Sequence, residues 1–175
     1  VAWNKATPGQ QQADERLVAG LNSALQQAAE FYGLGEGRPG DTAFRPYNAL
    51  NRLAMQALRL QDDGQKPAAI ELAQRCRQAA SESYARGASS WDAVMVSEAL
   101  LVERLLDRSL MQSGEEGVQA FAEIGSAYSE TLGNLVLRPR EIDSLVERPC
   151  LLSRICDAWQ VVTGDPGWQL AANHL

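Results

Sequence analysis

Glu98 is the residue of this chain whose position asks for chemistry. It stands in "SSWDAVMVSEALL", Ser89 to Leu101, seven residues after Trp91, in a run that otherwise reads as an apolar helix. At 100° per residue with Trp91 at zero, Val94, Met95, Ala99, Leu101, Val102, Leu105 and Leu106 fill an arc from about 280° to about 80°, and Glu98 falls inside it near 340°. Ser97, Glu103, Arg104, Asp107 and Arg108 take the polar side. A bare carboxylate on an apolar face costs several kcal/mol, so it must be paired, hydrogen-bonded or protonated. Glu98 is then either a working group, as catalytic acid, metal ligand or ligand-recognition carboxylate, or a polar tie between packed helices.

The same wheel on "PYNALNRLAMQAL", with Tyr47 at zero, groups Leu50, Ala54, Ala57 and Leu58 and leaves Asn51 at the edge of the arc, near 40°. An amide donates to a carboxylate or accepts from the protonated acid, which makes Asn51 a natural partner for Glu98. Arg45, Arg52, Arg138 and Arg140 are the charged alternatives. The same two helices also suggest a ligand groove at Asn51 and Glu98, with Tyr47 and Trp91 as anchors.

Catalysis lacks its other parts. Paired-carboxylate chemistry needs a second acid on the same surface, and Asp92 and Glu103 point elsewhere. His174 is the sole histidine and lies in the tail, so metal ligation and a base for a Ser or Cys nucleophile are both missing. "GLGEG" has no preceding strand and no following Lys-Ser, and reads as a flexible connection. The sequence predicts no catalytic residue, no cofactor and no metal; the chain is expected not to be an enzyme, and Asn51 with Glu98 is expected to be a structural pair.

The elements that must place these residues are helices. With 175 residues the chain suits one domain, residues 1–175, and it lacks an initiator Met, as a piece of a longer protein would. The net charge of -6 is scattered, which disfavours nucleic acid. No apolar run approaches the roughly 20 residues that span a bilayer, so a soluble, cytoplasmic chain with no membrane contact is expected. Cys76, Cys150 and Cys156 read as small buried apolar residues in a reducing compartment.

Helical periodicity predicts helices over 11–32, 47–60, 67–86, from Ser89, from Ser113 and over 139–162, with a turn or short helix in the tail. The first carries Leu17, Leu21, Ala24, Leu25, Ala28 and Phe31 on one side; the third presents small residues, among them Ala73, Cys76 and Ala80. Ser89 and Asp92 form an S-x-x-D start for the fourth, and Ser113 and Glu116 suggest the same for the fifth, whose stripe includes Ile124 and Tyr128. Pro149 should kink or break the sixth. Trp159 and Trp168 read as core anchors or as marks of a continuing chain. Short turns between such helices predict an all-α fold of antiparallel helical hairpins, an irregular tetratricopeptide-like α-solenoid rather than a closed bundle.

Residues Phe44 to Ile155 resemble the TRAFs-binding region of apoptosis signal-regulating kinases and its bacterial tetratricopeptide-like relatives. Tyr47, Leu50 and Asn51 match its Tyr-then-Leu-Asn segment, Trp91, Asp92 and Glu98 match its Trp-Asp with a glutamate seven positions after the Trp, and "REIDSL" is similar to a run in bacterial members. The stretch from Leu58 to Ser89 is longer than in the kinases, and Pro149 interrupts the last helix. The resemblance implies a non-catalytic scaffold that contacts a partner protein, or regulates an effector or signalling domain of the same polypeptide, in a cytoplasmic, bacterial setting. The alternative is a small-molecule sensor with its ligand between the second and fourth helices.

Overall fold

Proline and glycine set the element boundaries. A computed structural model describes residues 8–38, 44–59, 66–87, 89–133 and 135–175. Within them the chain is all-helical, with no strand: α1 (Pro8–Leu34), α2 (Pro46–Ala57), α3 (Lys66–Ala85), α4 (Ser90–Leu106), α5 (Glu115–Leu132), α6 (Pro139–Thr163) and α7 (Pro166–His174), with a 3-10 turn at Ser109–Met111. Pro46, Pro139 and Pro166 open α2, α6 and α7, where a missing N–H removes no helical bond. The Asp92 carboxylate accepts from both the amide and the hydroxyl of Ser89 at 3.0 Å, as the S-x-x-D spacing predicts. α5 starts at Glu115 instead of Ser113, because Gly114 takes φ 85° before it, a backbone that glycine adopts without strain.

Three expectations along these helices are corrected. α6 runs unbroken through Pro149; the proline gives up one bond to the Leu145 carbonyl, but buried Leu152, Cys156, Trp159 and Val162 hold the helix beyond it. α1 turns Leu25 and Ala29 inward and leaves Leu17 and Phe31 exposed, so its inner face is narrower than the sequence stripe. The start of the "GLGEG" connection is fixed: Glu36, nearly buried, takes a two-pronged ion pair from Arg52 through Nε and through Nη2 at 2.8 Å. The Asn48 amide also donates to the Gly35 carbonyl at 2.8 Å, while 39–43 lie outside the described residues.

α4 is central, touching α2, α3 and α5, and its longest interface is with α3. Small buried residues of α3, Ala73, Cys76 and Ala80, let the two backbones approach closely. Because neighbours cover both sides of α4, two residues that the wheel put on its polar face are buried, Ser97 and Glu103. Ser97 shares a hydroxyl bond of 3.1 Å with Thr131. Glu103 has a long contact, 3.4 Å, to Arg77 Nε and a side-chain hydrogen bond with Gln74, while its Oε1 has no hydrogen-bond partner. Burial pushes the Glu103 carboxyl above the usual range, against the opposing pull of Arg77 and Arg104. A raised carboxyl favours the protonated native state, so its contribution is full below the unfolded value, about 4.3, and is lost as pH rises through the folded one. Glu103→Gln is therefore expected to raise stability at pH 7 by up to about 1 kcal/mol and to leave it unchanged at pH 4. Urea midpoints at the two pH values check this, and a loss at pH 7 would show that the Arg77 contact outweighs the burial.

Packing runs between chain neighbours from α1 to α5, whereas α6 turns back to touch α1 and packs on α7. Trp159, fully buried on α6, donates its indole N–H to the Leu58 carbonyl at the end of α2. Trp168 of α7 is also buried, with its ring 6.1 Å from that of Trp159 and the Arg108 guanidinium 5.7 Å above it. The tail is thus a docked helix, and His174 packs against Phe121 at 5.2 Å between ring centres. Cys76 and Cys156 are buried, their thiols pushed up to about 12 by loss of solvent; Cys150 is exposed, contrary to its expected burial, because it faces outward on α6. No helix of the described residues is long and apolar enough to cross a membrane.

Candidate functional site

Three helices converge on Glu98. It stands in the middle of α4 at 4% exposure. From α5, the Tyr128 hydroxyl donates to Glu98 Oε1 at 2.6 Å. From α6, Arg148 Nη1 lies 2.6 Å from Glu98 Oε2. That second contact is an ion pair without hydrogen-bond alignment: Glu98 Oε2 and Arg148 Nη2 are both buried and both lack a hydrogen-bond partner. Burial, and then the negative charge of Glu98, push the Tyr128 phenol far above its ordinary value, which keeps it a neutral donor.

Beside this pair is a cavity of about 390 Å³. Tyr47 of α2 and Trp91, Val94 and Met95 of α4 supply an aromatic and apolar wall. Ser144, Leu145 and Arg148 of α6 close the other side, and Glu98 also lines it. The volume lies at the small end of the range for ligand pockets, about 300–1,000 Å³. No protein-family model, curated protein or solved structure matches this chain.

The sequence-expected residues fall in different places. Glu98 is inward, as its position on the wheel requires. Asn51 is buried on α2, but its amide donates to its own helix, to the Tyr47 carbonyl at 2.8 Å, and it does not line the cavity. A short amide side chain satisfies itself on the carbonyl four residues back more readily than it reaches a neighbouring helix. Of the charged alternatives, Arg52 is engaged by Glu36, and the arginine on Glu98 is Arg148. Tyr47 and Trp91, expected as anchors, are 53% and 39% exposed and line the cavity. The groove beside Glu98 is closed by α6, with α2 contributing only Tyr47.

Two residues that complete the site, Tyr128 and Arg148, were not linked to Glu98 by sequence. Tyr128 lies on the α5 stripe, where a phenol in an apolar row signals a buried acceptor within reach. Arg148 precedes Leu152, Cys156 and Trp159 at spacings of four, four and three. That spacing puts a cation on the inner face of α6, the counterpart of an anion on the inner face of α4.

Charge and protonation at the site are set by its own side chains. The carboxylate is charge-matched by Arg148, the phenol is held protonated, and the single histidine, His174, is on α7 among other partners. Among the described residues no group of three or more His, Cys, Asp or Glu side chains is placed to hold a metal.

Proposed function

We propose that this chain is a non-catalytic helical recognition module, which takes a small ligand or side chain into the cavity beside Glu98 and reports it to a partner or neighbouring domain. One observation carries this: a buried Glu98–Arg148 pair with an unsatisfied acceptor and an unsatisfied donor borders a 390 Å³ apolar cavity. Each unfilled buried group costs about 1–3 kcal/mol, which an occupant of the adjoining cavity would recover. The hairpin-like succession of α1 to α5 supports a tetratricopeptide-like scaffold of the kind the sequence resemblance implies.

The reading is tested by thermal denaturation with a mixed set of small neutral, cationic and anionic compounds. Ligands that bind the native state raise its midpoint by mass action. Some compounds should do so for the parent chain and none for Met95→Trp, which fills the cavity; shifts that persist in the filled variant would place binding elsewhere. A second reading, a scaffold that holds a partner protein on α6, is favoured by exposed Ile142, Val146 and Leu151 on that helix.

A further inference from the structure

The cavity beside Glu98 constrains the chemistry of its occupant, and this step rests on the recognition reading above. Arg148 Nη1 stands 2.6 Å from Glu98 Oε2, so the charges on the cavity floor already balance. A ligand with a net charge would be buried without a counter-charge, which is strongly unfavourable. What the pair leaves over is one acceptor, Glu98 Oε2, and one donor group, Arg148 Nη2. Tyr128 holds the other carboxylate oxygen, so Glu98 cannot turn to satisfy itself. The walls offer aromatic faces, Tyr47 and Trp91, and aliphatic surface from Val94 and Leu145.

We propose that the cavity takes an uncharged group with an N–H beside a C=O, a carboxamide edge, carried on a small apolar body. The ligand N–H donates to Glu98 Oε2 and its C=O accepts from Arg148 Nη2, satisfying both orphans while the two charges stay adjacent. Both atoms are shut off from solvent, and the edge reaches them through a small swing of the Arg148 head, whose side chain keeps 17% exposure. A free aromatic amide and the side chain of a glutamine on a partner protein share this chemistry.

Binding to the parent chain is measured by NMR titration with benzamide, benzoate, benzylamine and N-acetylglutamine methylamide. Benzamide is expected to bind with a millimolar Kd, and benzoate and benzylamine at least about tenfold more weakly, since each adds an unbalanced charge. Met95→Trp and Ser144→Phe, each checked for native circular dichroism, should lose binding; the second variant covers the case in which the first does not fold. A glutamine amide tighter than benzamide assigns a partner's side chain, and the reverse order assigns a free aromatic amide; either order supports the proposal. If benzoate or benzylamine binds as tightly as benzamide and loses binding in the filled variants, the carboxamide assignment is overturned while recognition in the cavity stands. If none of the four binds, or binding survives in both variants, the recognition reading falls as well.

Discussion

Trp159→Ala is expected to lower the stability of this chain by about 3–5 kcal/mol, the range for deleting a fully buried large aromatic. The indole is at 0% exposure on the inner face of α6 and stacks near Trp168, so its removal leaves a void bordered by a second large ring. It also removes a donor: the indole N–H satisfies the carbonyl of Leu58, the residue that ends α2. The two contributions separate with Trp159→Phe, which keeps much of the volume and drops only the N–H. That variant should lose about 1–3 kcal/mol, the cost of a buried acceptor left unpaired. Urea unfolding at pH 7 reads both, with the slope checked for constancy so that the midpoint reports stability. Equal losses in the two variants would mean that the hydrogen bond to Leu58 carries the whole effect and that the Trp159–Trp168 packing carries none.

Helix content and most boundaries were legible because Gly, Pro and 3.6-residue periodicity act locally. Ser89 with Asp92, Pro46 and Pro139 each mark a helix start within a few residues of sequence, and each is used that way. Burial on α4 was only half legible. Its apolar arc was right for Glu98, and Val96 and Leu100 on the otherwise polar side point to a second face that is either buried or binds a partner; α3 and α5 cover it, but that Ser97 and Glu103 in particular are buried there has no trace in the helix's own pattern. The cation on Glu98 comes from outside the helices that carry Asn51 and Glu98: Arg148 stands 50 positions further on, in register with Leu152, Cys156 and Trp159. A basic residue on an apolar stripe is the mirror of the signal that singled out Glu98, and Pro149 drew attention to a break at that spot that does not occur.

The Glu98–Arg148 pair yields the other large effect. Arg148→Met removes the cation from a carboxylate at 4% exposure and leaves Tyr128 as its one remaining partner, so a loss of about 3–5 kcal/mol is expected. Glu98→Gln should lose less, about 1–3 kcal/mol, because the amide oxygen still accepts from Tyr128 and the Arg148 side chain, 17% exposed, can turn toward solvent. The double variant decides between a tie and two independent contributions. With both charges gone nothing ionised is buried, and its loss should fall well short of the sum of the singles, by about 1–3 kcal/mol of coupling. Additive losses would mean that the 2.6 Å approach of Arg148 to Glu98 is energetically idle, and that α6 is held against α4 by the apolar cavity walls alone.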